Sequence, residues 1–551
     1  MSRWCAEQSR GVRAQESCSI KSHRVLRTER RVRWYSFAAG LLILSTVMIG
    51  AGLAAPASWR TLHQRLRAWD IQGAQQIYMQ LGESGSPPAL VAEARLKFLS
   101  GDYRGAVAAL DQLRTIAPEI EAELGSLAAT IRATHETLGG MQETLSPDGR
   151  FVIRYFERDQ LLLPYLSEVL MASDRVYAED FGGRPEGRIL VEIYPEPRYL
   201  AAVSSLSEED IETSGTIALC KYNRLMVTSP RGMARGYDWR DTVAHEFVHY
   251  YVTHLSDNTV PIWLHEGIAK FEQSRWRFPP GHPLNPPQED LLARSLEEDQ
   301  LITFQQMHPS MAKLPSQSAA ALAFAEVHTV IGFLHRRLGY PGIRALIAAL
   351  RGGADMDAAL RTVYQLNLGE LWEVWLRDLR GQGMRTWPGL IQQSLRFKRP
   401  GQEGELEPEY ASIEEKEVKD WAHLGELLRA RGRHQAAVFE YQKASTQGGD
   451  GHPLVQTGLA ASLFELQRYP EVVTALERVG RYYPSHFNIY LYRGEALLAI
   501  GDQQGAVEAF EGAVSINPFH PRPHQALVRL YNALGDQERA DRERRALEQL
   551  Q

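Results

Sequence analysis

Between Asp241 and Thr253 the chain reads Asp-Thr-Val-Ala-His-Glu-Phe-Val-His-Tyr-Tyr-Val-Thr, and this stretch constrains everything around it. His245 and His249 stand four residues apart, with Glu246 directly after the first. On an α-helix, positions i and i+4 lie one above the other on the same face. Two imidazole nitrogens can therefore meet on one metal ion while Glu246 leans towards the ion's open side. H-E-x-x-H on a helix is the arrangement that holds zinc through two histidines and keeps a glutamate as base. Val243, Phe247, Val248, Tyr251 and Val252 supply apolar packing, and no Pro or Gly interrupts the run.

Zinc that activates water needs a third protein ligand and one open position. Downstream, Val260-Pro-Ile-Trp-Leu-His265-Glu266-Gly-Ile-Ala-Lys-Phe-Glu272 forms a second amphipathic segment, after a turn-rich link containing Ser256, Asp257, Asn258 and Pro261. A helix-turn-helix folds Glu266 back onto the histidine pair. His254, His265 and Glu272 compete with it for the third position. His-Glu-x-x-His followed by Trp-Leu-x-Glu-Gly-x-Ala resembles the gluzincin clan of metallopeptidases, specifically the bacterial peptidase-MA-like domains often fused to tetratricopeptide repeats. The resemblance covers residues 147–382 and is most specific over 241–272. It implies an α+β zincin-like domain with a small mixed sheet, zinc (Zn2+) bound by His245, His249 and Glu266, Glu246 as general base, and a polypeptide substrate. It also implies an edge strand that aligns an extended substrate by β-augmentation. Asp241 and Glu272 are candidates for orienting the imidazoles from outside.

One residue departs from the family pattern. In Ala321-Leu-Ala-Phe324-Ala-Glu-Val-His328, Phe324 stands where the family usually carries Tyr. A phenol could donate to a developing oxyanion and a phenyl ring cannot. His328, one turn further along, is the candidate catalytic substitute.

The formal net charge of −6 is unevenly placed: residues 1–35 carry a local +6 and the remainder about −12. A body that acidic argues against nucleic-acid binding, which wants a basic patch. Of three cysteines, Cys5 and Cys18 precede the apolar run at 37–55, so Cys220 has no disulfide partner in the main body and is expected to be packed. The run at 37–55 is uncharged and just long enough to cross ~30 Å of hydrocarbon. Arg24, Arg27, Arg30, Arg31 and Arg33 before it favour a cytoplasmic N-terminus. Residues 1–35 thus read as a basic cytoplasmic segment and 36–57 as a transmembrane signal anchor, with the main body periplasmic or otherwise extracytoplasmic. Cleavage at Ala55-Pro-Ala57 is the alternative.

Residues 58–137 are helical in pattern. Ala92 to Leu110 there looks like one tetratricopeptide repeat, turning at Gly101-Asp102. Phe151–Phe156 and Arg188–Tyr194 alternate as strands around a helix at Leu161–Phe181. Thr216–Cys220 and Arg224–Thr228 flank Lys221-Tyr-Asn223 as a hairpin, which serves either as the substrate edge or as an ordinary core strand. The Pro-rich stretch 274–318, with a helical piece at Glu289–Leu296, reads as a cleft-covering loop or a mobile excursion. Helices follow at Ala319–Leu338, Ile343–Leu350 and Met356–Tyr364, and Leu371–Leu376 closes the domain. Residues 383–417, with the acidic run Glu403–Glu409, form a solvated linker. Over 418–551 an internal repeat is plain: Gly501, Ala506, Phe510, Ala513 and Pro518 are matched 34 residues earlier by Gln467, Val472, Leu476, Val479 and Pro484. Gly535 and Ala540 continue that period, and Gly432, Ala437, Tyr441 and Ala444 begin the series one residue out of phase. This is the tetratricopeptide period, and four all-α helix pairs should stack around a protein-binding groove. Two functions compete: a membrane-anchored zinc metallopeptidase with repeats that bind protein, or an inactive membrane-tethered scaffold that assembles an envelope complex.

Overall fold

The computed structural model describes residues 57–82, 84–398 and 410–550. The apolar run at 37–55, its basic flank and the acidic charges at 403–409 lie outside the described residues.

Six helices come first: α1 (Ala57–Arg67), α2 (Ile71–Leu81), α3 (Pro87–Leu99), α4 (Tyr103–Ile116), α5 (Pro118–Glu123) and α6 (Ser126–Thr137). The sheet follows, built from β1 (Gln142–Leu145), β2 (Phe151–Tyr155), β3 (Ile189–Tyr194), β4 (Ala218–Lys221) and β5 (Arg224–Thr228), with α7 (Leu163–Phe181), α8 (Pro197–Val203) and α9 (Glu208–Ser214) between strands. Its order is β1-β2-β3-β5-β4, with the β2–β3 and β3–β5 pairs parallel and the two outer pairs antiparallel. This is the small mixed sheet the resemblance implies. β4 is an edge. Tyr222 and Asn223 both have positive φ (55° and 61°), as a two-residue hairpin of right-handed twist demands.

Side chains alternate cleanly across the sheet. Phe151, Ile153, Val191, Leu225 and Val227 face α7 and the zinc-motif helix, α10 (Trp239–Ser256). Tyr194 and Met226 face the N-terminal helices. On that second face a fully buried Arg224 pairs with Glu192 (3.1 Å), and the Tyr103 hydroxyl donates to the same carboxylate (2.5 Å). A repeat-like helix pair, unable to bury its own face, therefore uses the sheet as its neighbour.

After α10 come α11 (Ile262–Glu272), α12 (Pro286–Glu297), α13 (Gln317–Arg351), α14 (Met356–Tyr364) and α15 (Leu368–Gln382). By composition α13 is apolar and long enough to cross a membrane. It is instead a core helix, with Val327, Val330, Ile331 and Leu334 buried, and it breaks at Gly339 before Pro341. The stretch 274–318 is no mobile excursion: Phe304, Met307, Met311 and Leu314 are buried, and Phe304 stacks on Trp263. The described part of the linker is likewise bound down. Leu390 is buried, Phe397 bridges to Met233, and Trp387 donates its indole N–H to Glu289. Burying those apolar groups outweighs the freedom expected of a connector.

The C-terminal array pairs α16 (Lys416–Ala430) with α17 (His434–Thr446), α18 (Pro453–Glu465) with α19 (Tyr469–Tyr482), α20 (Phe487–Ala499) with α21 (Gln503–Ile516), and α22 (Pro521–Leu534) with α23 (Gln537–Gln549). It shares one apolar core with the central domain through Phe487, Leu491, Phe510 and Val514. The Tyr237 amide donates to the Ile516 carbonyl, and a Cβ on Gly236 would lie 2.2 Å from that oxygen, so only glycine permits the approach. At the far end the Tyr165 hydroxyl donates to Glu543 (2.8 Å), which also holds His524 (2.6 Å).

Candidate metal centre

α10 carries the histidines and α11 carries Glu266. The link between them turns on Asp257 and Asn258, both at positive φ. Three devices fix the pair. The buried Tyr177 hydroxyl reaches the carbonyls of Ala244 (3.2 Å) and Glu272 (3.1 Å), one on each helix. Trp276 and Arg277, just beyond α11, donate to Asp241 at the start of α10 (2.9 and 2.6 Å). Gly267 lets α11 lie directly on α13, since a Cβ there would meet Ile331 at 2.8 Å.

The result is a tight triangle. His245 Nε2 lies 3.1 Å from His249 Nε2, and Glu266 Oε2 lies 3.3 Å from the first and 3.1 Å from the second. Zinc with bonds of about 2.0–2.1 Å in tetrahedral geometry requires ligand atoms roughly 3.3 Å apart, so these residues fit the metal. Glu246 stands back from the triangle; its carboxyl shares a looser cluster, within 4.8 Å, with the two histidines. It takes a hydrogen bond from the Cys220 backbone on the edge strand. Burial, helped by the nearby Glu266, pushes Glu246 up to about 7. Burial also raises Glu266, but the charge and hydrogen bonds of His249 and His245 overcome it and hold that carboxylate far below its usual range. Burial lowers His245 to about 4, leaving the imidazole neutral as a ligand must be.

The rival ligands are engaged elsewhere. His254 bonds Asn223 (3.2 Å) and lies against Trp69. Glu272 accepts from the Tyr340 hydroxyl (2.9 Å). His265 sits behind His249: their Nδ1 atoms are 2.5 Å apart, and His265 Nε2 is 3.2 Å from Thr253 Oγ1. With His249 Nε2 turned to the metal, its Nδ1–H donates to His265, whose Nε2–H donates to the threonine. The orienting partner is thus His265, and neither Asp241 nor Glu272 touches an imidazole; Asp241 is a clamp between helices instead. The signal of His265 in the sequence is its place directly before Glu266, which turns it to a different side of α11. Phe324 lies edge-on to His245, with ring centres 5.8 Å apart. His328 is not joined to the triangle: its ring is taken up by the Lys270 carbonyl (3.4 Å) and by the backbone at His282.

β4 runs beside this centre. Its register puts Ile217, Leu219 and Lys221 in hydrogen bonding to β5, so the backbone groups of Ala218 and Cys220 point outward. Cys220 is half-buried in the core, and burial raises its thiol well above the usual range.

Residues 174–381 match the family model of the Peptidase MA superfamily. Residues 457–521 match a tetratricopeptide repeat. The chain therefore carries a Peptidase MA superfamily domain followed by tetratricopeptide repeats. No curated protein matches it. Among solved structures it is similar to MamA 41-end from Desulfovibrio magneticus RS-1, at 22% identity and a TM-score of 0.23 over 26% of this chain and 80% of that one. MamA MSR-1 C2 is similar at 23% identity and a TM-score of 0.22 over 25% of this chain and 82% of that one.

Proposed function

We propose that the chain is a zinc-dependent metallopeptidase that hydrolyses peptide bonds, anchored to a membrane by residues 36–57 with its body extracytoplasmic, and that its repeats bind a protein partner. The supporting observation is the triangle of His245, His249 and Glu266 with Glu246 beside it. Zinc held there supplies Lewis acidity, lowering the pKa of a water molecule towards ~7. Glu246 takes the proton from the attacking water and delivers it to the leaving amine. Its raised pKa suits both halves of that transfer. The outward backbone groups of Ala218 and the carbonyl of Cys220 pair with an extended polypeptide beside the centre, while the Cys220 N–H stays with Glu246. His245, kept neutral by burial, offers its Nε2 lone pair to the metal; His249, which Glu266 and Glu246 hold towards the protonated form, gives up its Nε2 proton on binding, and His265 fixes the tilt of its ring.

One observation favours the rival reading, an inactive tethered scaffold: Phe324 offers no hydrogen-bond donor beside His245, and loss of one oxyanion donor costs about 10²–10³ in rate. Glu246→Gln separates the two. It should keep zinc and lose about 10²–10⁴-fold in kcat on a peptide library. Full cleavage by the variant would overturn the role given to Glu246, and no cleavage by either protein supports the scaffold.

A further inference from the structure

The strand and the helix that flank the metal centre converge on one point. On one side β4 is the sheet edge, and its Cys220 N–H reaches Glu246. On the other, α13 passes the centre at Phe324, whose ring centre is 5.8 Å from that of His245. The side chains of His245 and Glu266 stay 12% and 16% exposed, so the centre opens to solvent rather than lying sealed in the core. Traced back along the chain, the two walls meet. Gly215 stands just before β4, and Gln317 opens α13. A Cβ on Gly215 would lie 3.1 Å from the Gln317 side chain, and Gln317 Nε2 donates to the Glu212 carbonyl (3.1 Å). Alongside, Lys313 pairs with Asp210 (3.5 Å), Met311 is buried and Ala312 packs against the cluster of Leu206 and Ile211.

A strap of chain holds this junction from behind. The Leu395 N–H donates to Gln317 Oε1 (2.7 Å), and Gln317 Nε2 also donates to the Leu395 carbonyl (3.2 Å). Next to it the Ala234 N–H donates to the Arg396 carbonyl and the Lys398 N–H to the Gly232 carbonyl. One amide side chain thus joins α9, α13 and the strap. At its far end β4 turns away from α13. Tyr222 packs on Phe98 with ring centres 5.0 Å apart, and Asn223 bonds His254 and the Leu99 carbonyl (3.2 and 3.1 Å). The walls are tied at one end and parted at the other.

The depth follows from chain geometry. α13 rises ~1.5 Å per residue, so the step from Gln317 to Phe324 spans about 10 Å. An extended polypeptide on the edge of β4 advances ~3.3 Å per residue, so about three residues fit between the metal centre and the junction. A chain continuing further would have to pass through Gln317 and Gly215. We infer that the cleft is closed at the Gly215–Gln317 junction and takes a chain end: one terminus of a polypeptide reaches the junction, and hydrolysis releases a piece of about three residues or fewer. The inference rests on the peptidase reading above and adds a substrate class to it, peptides with a free end.

The test gives zinc-loaded full-length protein one peptide in two forms, linear with free ends and joined head to tail, and reads the products by mass spectrometry. The linear form should lose successive pieces of about three residues or fewer from one end, and the ring should stay whole. Gln317→Ala cuts the ties to Glu212 and Leu395 and should lengthen the released pieces at unchanged zinc content. Binding is read separately on full-length Glu246→Gln by fluorescence polarisation. A dye on the end that enters should abolish binding, while the same dye on the opposite end is tolerated, which also names the terminus. Early cleavage in the middle of the linear peptide, cleavage of the ring, pieces of unchanged length from Gln317→Ala, or equal binding with the dye at either end overturns the inference and leaves the peptidase reading standing. If neither form is cut or bound by protein that holds zinc, the peptidase reading itself falls.

Discussion

α11 carries two glutamates six residues apart, Glu266 at its middle and Glu272 at its C-terminal end, and the sequence offers both as metal ligands. Glu266 faces two imidazoles and is held ionised. Glu272 is fully buried beside Asp180 and Tyr340, and burial pushes it up to about 8, with Asp180 adding to the rise. The helix and the residue type are the same, though Glu266 is half-buried and Glu272 fully buried. The partners differ, and they fit one carboxylate to a metal and make the other a neutral acid inside a wall. A buried acid takes its role from what it meets, because desolvation alone always favours the proton.

The comparison breaks most visibly at Glu266. Glu266→Ala should abolish zinc retention and reduce peptide hydrolysis to the uncatalysed background, while circular dichroism stays that of wild type. Next in size is His265→Ala, which removes only the outer partner of His249. It should weaken zinc by about 10–100-fold, with hydrolysis recovering in excess zinc. The smallest effect belongs to Glu272→Gln. This isosteric change should leave zinc affinity within about twofold, since its carboxylate meets Tyr340 and no imidazole.

Glu272 has a pH signature of its own. The folded form keeps the proton up to about pH 8, whereas an exposed glutamate releases it near 4.3. Between those values the folded state binds more protons than the unfolded one, so stability falls as pH rises through that window. Glu326, also raised by burial to about 8, adds a slope of the same sign. Buried histidines such as His63, His254 and His452, lowered to about 4, give the opposite slope below about pH 6.5, so thermal melting of the metal-free protein should drop between about pH 7 and pH 8. Glu272→Gln should flatten that drop, and a parallel curve would show that Glu272 is not the source.

Much of this was legible in the residues. The spacing of His245, Glu246 and His249 dictates their shared helical face, and the turn residues at 256–258 foretell the fold-back that delivers Glu266. The strands at Phe151, Arg188, Thr216 and Arg224 appear within two residues of their expected bounds, because alternation is sharp where each face of the sheet packs a different layer. β1 was not foreseen: Gln142–Leu145 is exposed and polar, so periodicity has nothing to mark. The pairing of His265 with His249 and the Trp276–Arg277 clamp were equally invisible. Each depends on how two helices are rotated against one another, which no single segment records. The docking of both helical flanks lay beyond reach for the same reason. Arg224 reads as a strand-end charge until Glu192 and Tyr103 are seen around it.

The most direct measurement is metal content by plasma mass spectrometry on three full-length proteins purified side by side in zinc-containing buffer and then desalted: wild type, Glu266→Ala and Glu272→Gln. The triangle predicts close to one zinc per chain in wild type and in Glu272→Gln, and none in Glu266→Ala. Zinc retained equally by all three, or absent from wild type, would contradict it.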